Sequence, residues 1–302
     1  MKENLILEFS IFALIGVGFL LRRLNVISLQ GQKSMTNLVV KVILPCNIFK
    51  AFLSANLEQI RSDGLWVLGV SLVFHVFCIL YGRLLFRKPP ESERKCLRFA
   101  ALCSNAGFLG NPVAEGLYGL EGLALANIYL IPMRTLMWSS GVAIFSGSHD
   151  WRKTLLKVVT HPCIVAVFLG IIGMLTRLRM PELLMKPIGY LSSCNTAMSM
   201  LVIGMILARL EARQFLDKKV LLFSLHRLVI LPVLVYAACS LLPISLTARN
   251  ICVILAAMPV AANTSIIADQ YNQDSLFATK LVVISTLLSI PTTALWSLVL
   301  MG

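Results

Sequence analysis

Two apolar stretches of this chain combine asparagine, proline and small residues in a pattern that could bind a solute inside a membrane. Residues 104–112 read SNAGFLGNP, and residues 257–265 read AMPVAANTS. Each stretch interrupts an apolar run long enough to form a membrane helix, and proline removes a backbone donor and crowds the preceding turn. Because lipid cannot hydrogen-bond the freed backbone groups, irregular backbone persists at membrane depth only where protein or a water-filled cavity satisfies it. We therefore expect both stretches to border a polar cavity.

The chemistry expected at this cavity is the binding of an anion. If each stretch divides its helix, two second half-helices begin near the middle of the membrane and enter from opposite sides. Their N-termini then direct partial positive charge and free N–H groups toward one region, which can hold a carboxylate without a buried lysine or arginine. Asparagine side chains would add uncharged donors and acceptors. The residues expected at these helix starts are Asn105, Gly107, Asn111 as N-cap, Pro112 as first helical residue, Pro259, Asn263, Thr264 and Ser265.

A simpler interpretation is that proline and glycine only kink two ordinary membrane helices. The paired placement argues against it, because each stretch falls in the fourth apolar span of its half of the chain and each has asparagine beside it. Interrupted spans in equivalent positions of two halves are the sequence feature that most directly indicates a transporter's substrate site.

The composition indicates a membrane protein with many spans. Of the 302 residues, 58% are hydrophobic and 14% are charged, whereas a soluble domain has roughly 25% charged residues. The formal net charge of +13 does not indicate nucleic-acid binding, because the basic residues lie in short loops between apolar runs. The eight cysteines form no CxxC pair, so we expect free thiols, with no disulfide framework, no metal and no cofactor.

The apolar runs predict an all-α membrane protein with ten transmembrane helices, arranged as two inverted five-helix repeats with crossed, discontinuous helices four and nine. An odd number of spans per half requires that two similar halves insert with opposite orientations. Most lysines and arginines lie in loops after odd-numbered spans, so these loops are predicted to be cytoplasmic. Both termini are then predicted to lie on the outer side of the cytoplasmic (inner) membrane. The predicted spans are 5–21, 34–54, 64–86, 95–118, 122–146, 155–176, 183–208, 219–242, 247–270 and 275–301.

Polar residues inside other spans are further candidates, because ionisable side chains at membrane depth are costly. Arg134 follows a proline near the middle of span five, where it could attract an anionic substrate, pair with Glu115 or bond carbonyls that the proline frees. Asn47 and Asn195, each preceded by cysteine, echo one another on spans two and seven and could line the site or join helices. Arg227 lies nearer to a span end, and we expect it to extend to the membrane interface.

Three motifs resemble those of the auxin efflux carrier family. Residues 104–119, SNAGFLGNPVAEGLYG, resemble its fourth-span crossover; residues 44–49, LPCNIF, resemble its second-span motif; and residues 258–263, MPVAAN, resemble its ninth-span crossover. The resemblance extends over the whole chain in span number, length and motif order. The long cytoplasmic loop of many plant members is absent, so the chain is similar to the compact bacterial members.

The resemblance implies a sodium/bile-acid-symporter-like fold, in which a mobile transport domain carries the crossed half-helices against a scaffold. Substrate would bind between the two domains and move by an elevator-like shift. Asn105 would be the substrate-facing asparagine, with Pro112 and Pro259 at the crossing. The implied domains are scaffold residues 1–63 and 154–210 and transport-domain residues 64–146 and 217–302.

These observations predict a secondary transporter, or permease, for a small organic anion, and not an enzyme, since the sequence has neither a P-loop nor a clustered catalytic set. By resemblance the substrate is a mono- or dicarboxylate such as malate, malonate or an auxin-like acid. The expected partners are that anion, the lipid bilayer, a proton or sodium as coupling ion, and a second copy in a homodimer, with no nucleic acid. The alternatives are a sodium-coupled bile-acid-like or arsenite-like carrier, and a membrane sensor without net flux.

Overall fold

The described part of the chain is helical and contains no β-strand. Several basic residues that predict the orientation, among them Lys153, Arg209 and Arg213, lie outside the described residues. The computed structural model describes residues 2–146, 152, 156, 158–178, 180–208 and 217–301. The helices are α1 (Lys2–Arg23), α2 (Leu29–Ser54), α3 (Leu57–Leu85), α4 (Glu91–Leu102), α5 (Ala106–Phe145), α6 (Pro162–Leu175), α7 (Glu182–Leu207), α8 (Lys218–Ser240), α9 (Leu246–Ala256), α10 (Thr264–Gln270) and α11 (Ser275–Met301).

Six helices in the described ranges are long and apolar enough to cross a bilayer: α2, α3, α5, α7, α8 and α11. The helices α6 and α9 are apolar but shorter. Many large apolar side chains on these helices are exposed, such as Leu65, Val73 and Leu183, as is expected of surfaces that face lipid. The prediction of an all-helical membrane protein is confirmed. The arrangement as ten spans in two inverted repeats stays a prediction.

The first predicted discontinuity is present but shorter than expected. The helix α4 ends at Leu102, residues 103–105 are not helical, and α5 begins at Ala106 with one π turn. The α-helical part of α5 starts at Asn111 with Pro112 in its first turn, as predicted for the proline. Asn111 is not an N-cap, however, and residues 106–110, expected to be unwound, form the π turn. The physical reason is that the π turn absorbs the effect of the proline, so the helix can begin ahead of it.

Prolines widen two other helices in the same way. A proline offers no N–H to the preceding turn, and its ring crowds the carbonyl four residues earlier. The widened π turn relieves both conflicts without ending the helix. The turns and their following prolines are Val39–Ile43 with Pro45, Ala106–Gly110 with Pro112, and His226–Ile230 with Pro232. Proline at these positions thus marks a bulge rather than a break.

The second discontinuity lies where the sequence predicts it. The helix α9 ends at Ala256, residues 257–263 are not helical, and α10 begins at Thr264. Asn263 occupies the N-cap position, but its side chain makes no capping hydrogen bond. The Thr264 hydroxyl instead donates to the Ala261 carbonyl over 2.7 Å and stabilises the turn that leads into α10.

The two discontinuities contact each other through their backbones. The N–H of Asn105 donates to the Pro259 carbonyl over 2.7 Å, and the N–H of Ala261 donates to the Cys103 carbonyl over 3.1 Å. These bonds form an isolated antiparallel bridge between the two segments. Each break thereby satisfies backbone groups that the other has freed, as membrane depth requires.

Gly119 turns α5 back on itself between predicted spans four and five. Its φ is +63°, a conformation that residues with a side chain rarely adopt. The helix α5 therefore contains the second half of predicted span four, then this turn, then predicted span five.

Helices α1 and α7 pack so closely that glycine is required at their contact. A Cβ atom added to Gly204 would lie 2.0 Å from the Ile15 carbonyl oxygen, and one added to Gly18 would lie 2.3 Å from the Leu201 carbonyl oxygen. Small residues at such contacts let helices associate in lipid, where no hydrophobic force draws them together.

Candidate functional site

A cavity of about 980 Å³ lies against the paired discontinuities, at the upper end of the range of about 300–1,000 Å³ found for small-molecule sites. The lining includes the exposed side chains of Lys33 and Asp269, and we call the part of the cavity at these two residues its mouth. The lining residues that come from the discontinuities, α5 and α10 are Ser104, Asn105, Gly107, Phe108, Met133, Arg134, Met137, Trp138, Ala261, Ala262, Asn263, Ser265 and Ile266.

Asn105 lies at the end of the first discontinuity, immediately before α5. Its backbone N–H is used by the bridge to Pro259, which fixes the residue in place. Its side chain is buried, and the amide nitrogen Nδ2 has no hydrogen-bond partner in the structure. A buried amide donor without a partner is uncommon in proteins and indicates a ligand or an ordered water.

Arg134 reaches the same cavity from the second segment of α5. The residue is only 6% exposed, and its Nη1 has no hydrogen-bond partner. A Cβ atom added to Gly107 would lie 3.9 Å from Arg134 Nη2, which places the guanidinium beside the first turn of α5. The cavity beside the discontinuities therefore has a buried arginine in its lining, because the fold of α5 at Gly119 returns Arg134 to the level of the discontinuities.

The sequence left three roles open for Arg134, and the geometry separates them. Among the described residues no ion pair joins Arg134 to Glu115, whose carboxylate instead accepts hydrogen bonds from Asn47. The described hydrogen bonds include none from Arg134 to a carbonyl freed by Pro132. The guanidinium is left facing the cavity.

The structure brings some of the predicted site residues into the cavity and keeps others out. Those that line it are Asn105, Gly107, Asn263, Ser265 and Arg134. Asn263 donates from Nδ2 to the Met137 sulfur over 3.5 Å, a weak contact. Those that lie outside the cavity lining are Asn111, Pro112, Pro259, Thr264, Asn47 and Asn195. Buried Asn111 donates to Asn127 Oδ1 over 3.2 Å inside α5, so it joins the two segments of that helix.

Asn47 and Asn195 meet in a second polar group, which we call the seam cluster and which consists of Asn47, Glu115, Ser192 and Asn195. Asn47 Nδ2 lies 3.2 Å from Glu115 Oε2, 3.4 Å from Glu115 Oε1 and 3.1 Å from Ser192 Oγ. Asn195 Nδ2 donates to Asn47 Oδ1 over 3.4 Å. The asparagines of the two Cys-Asn pairs that echo each other in the sequence are therefore in direct contact.

Arg227 does not extend to the membrane interface, so that expectation is wrong. It is 1% exposed, and it donates from Nε to the Met258 carbonyl and from Nη1 to the Ala101 carbonyl, each over 3.0 Å. The Ala101 carbonyl lies in the last turn of α4, where acceptors are unsatisfied and the charge is partly negative, and the Met258 carbonyl lies in the second discontinuity, two residues after α9 ends. One guanidinium thus joins the end of α4 to the second discontinuity.

Several lining residues were not singled out from the sequence. His161, which caps α6 by accepting a hydrogen bond from the Cys163 N–H over 3.3 Å, also lines the cavity. Met137 and Trp138 stand three and four positions after Arg134 on α5 and share its face. That helical spacing was a readable signal for Met137 and Trp138, whereas nothing in the local sequence distinguishes His161.

Long apolar helices, two broken helices that pair through their backbones, and a cavity with unpartnered polar donors define a class: a multi-pass membrane transporter. The model of the family "Membrane transport protein" matches residues 6–152 and 148–297. The chain belongs to this family of auxin-efflux-carrier-like transporters, which confirms the resemblance seen in its motifs. The family and the names of the relatives indicate a transporter and not an enzyme.

Three relatives illustrate the range of this similarity. An uncharacterized transporter of Methanocaldococcus jannaschii is 24% identical, with 97% of each chain covered. A protein of Rhizobium meliloti named "Putative malonate transporter" is 26% identical, over 96% of this chain and 92% of that protein. The "Lysosomal cholesterol signaling protein" of Mus musculus is 25% identical over 93% of this chain, which corresponds to 35% of the mouse protein.

Proposed function

We propose that this protein is a secondary transporter that moves a small organic anion, a mono- or dicarboxylate such as malonate or malate, by elevator-type alternating access. The observation that carries the proposal is that two residues lining one cavity, Arg134 and Asn105, each have a buried side-chain donor without a hydrogen-bond partner, Nη1 and Nδ2. They come from α5 and from the discontinuity before it.

The charge of Arg134 favours an anionic substrate. A buried guanidinium without a partner is costly, and an incoming carboxylate would supply both the opposite charge and the acceptors that it lacks. Guanidinium and carboxylate match in a two-bond geometry that a lysine cannot reproduce. Arg22 and Lys33 near the mouth outnumber Asp269 there, which would attract anions from solution.

The name of the Rhizobium meliloti relative supports a small dicarboxylate as the first substrate to test. Malonate is small enough to place one carboxylate at Arg134 and still fit within about 980 Å³. An auxin-like acid is the corresponding monocarboxylate candidate, and the cavity has aromatic and thioether lining in Phe108, Trp138 and Met137 to receive an apolar ring.

We propose the ten-span inverted repeat as the architecture behind this function, with scaffold residues 1–63 and 154–210 and transport-domain residues 64–146 and 217–302. Contacts within each proposed domain support the division. Lys219 at the start of α8 contacts Glu93 of α4 over 2.6 Å, which joins transport-domain elements. The tight packing of Gly204 against Ile15 joins α7 to α1 in the scaffold.

The test is counterflow in proteoliposomes that contain the purified protein. Liposomes loaded with unlabelled malonate should accumulate labelled malonate, and other mono- and dicarboxylates should compete according to their fit. Arg134→Gln should reduce this exchange at least about tenfold, since a charge-assisted bond is lost. Arg87→Gln, which changes an exposed arginine before α4, is the matched control and should leave exchange unchanged.

A sensor without net flux is the second candidate, and the match to a signaling protein of Mus musculus favours it. A sensor would bind a carboxylate, seen as a rise in thermal midpoint that Arg134→Gln removes, yet would show no counterflow. Exchange that requires sodium would instead favour the sodium-coupled carriers of similar fold. Counterflow without sodium dependence would exclude both alternatives.

A further inference from the structure

The seam cluster joins elements that belong to different proposed domains. Glu115 lies on α5 in the proposed transport domain, whereas Asn47 lies on α2, and Ser192 and Asn195 lie on α7 in the proposed scaffold. The amide of Asn47 is within 3.4 Å of both Glu115 oxygens, so a carboxylate on one domain is held by an amide on the other.

This cluster lies beyond the end of the cavity that is farthest from its mouth. On α2 the cavity lining starts at Leu29 and ends at Leu44, one turn before Asn47. On α7 the lining residues lie from Val202 onward, toward the C-terminal side of Asn195. Glu115 likewise lies on α5 beyond the lining residues Gly107 and Phe108. Contacts of the seam cluster therefore close the end of the cavity opposite to the mouth.

We infer that Glu115 is a proton-binding latch: as a carboxylate it holds the closed end of the cavity through Asn47, and uptake of a proton releases it. The inference rests on the proposed transport function, because alternating access requires that the closed end opens in turn. Hydrogen bonds to an ionised carboxylate are roughly twice as strong as neutral ones. One proton taken from water converts the carboxylate to a neutral acid, and the same proton leaves when the latch re-forms.

The charged groups around Glu115 are few. On α2 the basic residue Lys50 lies one turn beyond Asn47. The helix α7 presents the uncharged Ser192 and Asn195. On α1, Leu7 lies beside Gly116, and the neighbouring acid Glu8 is buried, with no hydrogen-bond partner for either carboxylate oxygen in the structure. Among the described residues neither Lys50 nor another basic side chain forms an ion pair with Glu115. Whether the latch holds therefore depends on the protonation of Glu115 itself.

The experiment compares the pH dependence of malonate counterflow in the wild-type protein with that in Glu115→Gln. The wild-type rate should rise about tenfold between about pH 8 and about pH 5, as the strong latch becomes a neutral contact. Glu115→Gln keeps the shape of the side chain without its charge, so its rate should be high and constant within about twofold over the same range. Glu115→Asp retains a titratable carboxyl and should restore the rise.

Glu121→Gln is the matched control, because Glu121 lies just after the Gly119 turn and outside the seam cluster. It should keep the wild-type pH profile. A Glu115→Gln protein that retains the wild-type rise, or a wild-type protein without one, would overturn the latch while leaving the transport function intact.

A measurement that does not need transport separates the two proposals. Hydrogen–deuterium exchange at one neutral pH should be faster in Glu115→Gln than in wild type at the peptides around Asn47 and Ser192, because the closed end opens more often. If hydrogen–deuterium exchange differs between the two proteins but no carboxylate counterflow is observed, the transport proposal alone is overturned. Equal exchange in the two proteins would overturn the latch.

Discussion

Asn105 and Asn111 show how two identical side chains six positions apart acquire different roles. Asn105 precedes α5 and leaves its Nδ2 without a partner at the cavity, while Asn111 lies inside α5 and donates to Asn127. The difference comes from where the helix begins, since residues before the first turn are fixed by backbone bonds and those within it by helix packing.

Substitution of these asparagines by alanine should separate binding from stability. Asn105→Ala removes no hydrogen bond of the side-chain amide nitrogen, so the thermal midpoint should change little while malonate counterflow falls at least about tenfold. Asn111→Ala leaves a buried Asn127 acceptor unsatisfied and should destabilise the protein by about 1–3 kcal/mol. Wild-type counterflow in Asn105→Ala would show that Asn105 does not contact substrate.

At the level of helices, the paired discontinuities are held by three kinds of contact. The discontinuities bond each other, Arg227 bonds carbonyls in the last turn of α4 and in the second discontinuity, and the Ser285 hydroxyl accepts from the Val260 N–H over 3.1 Å. Each contact satisfies a backbone group that a continuous helix would have satisfied internally. Broken helices persist in this protein because these partners come from elsewhere in the fold.

Arg227→Met should therefore destabilise the paired discontinuities. The substitution leaves two buried carbonyls without a donor, and at about 1–3 kcal/mol for each we expect a loss of about 2–6 kcal/mol of unfolding free energy. Arg227→Lys keeps one donor group and should lose less. Thermal unfolding in detergent measures both, and an unchanged midpoint in Arg227→Met would contradict the assignment.

The contact between α1 and α7 predicts a glycine requirement at one position and none at another. Gly204→Ala places a Cβ atom 2.0 Å from the Ile15 carbonyl oxygen and should destabilise the protein by about 1–3 kcal/mol. Gly16→Ala, on α1, meets no atom within 4 Å and should be neutral or slightly stabilising. The thermal unfolding midpoints of the Gly204→Ala and Gly16→Ala proteins, measured under the same conditions, test whether close backbone contact joins α1 and α7.

At the scale of the whole protein, the cavity is open at one end and closed at the other, and this asymmetry defines the conformational state of the structure. The mouth lies at Lys33 and Asp269, near loops that the charge distribution predicts to be cytoplasmic, and the seam cluster closes the other end. With that orientation the structure corresponds to an inward-facing state of the proposed cycle.

The orientation itself can be tested with fusions at the C-terminus. If both termini lie outside, alkaline phosphatase fused after Gly302 should be active and green fluorescent protein fused there should be dark. The same reporters inserted in the segment near residue 150 should behave in the opposite way. Fluorescence from the C-terminal fusion would reverse the orientation and make the cavity mouth face outward.

Local chemistry explains what could be predicted from the chain. Apolar runs require membrane helices, and proline, glycine and asparagine inside them require a cavity or a partner for the freed backbone. These are properties of neighbouring residues, so the all-helical class, the two discontinuities and the place of Asn105 and Asn263 beside a cavity could be predicted from the sequence, while the family was indicated by the resemblance of three motifs. The exact start of α5 did not, because a π turn ahead of Pro112 absorbed the proline.

What the sequence could not supply are contacts between residues far apart along it. Arg227 bonds a carbonyl 126 positions away, and Asn47 bonds Asn195 148 positions away. Because α5 turns at Gly119, Arg134 lies beside the first discontinuity; in a straight helix it would lie far from it. Local pattern shows that a buried polar group needs a partner, but only the packing of distant helices chooses which partner it receives.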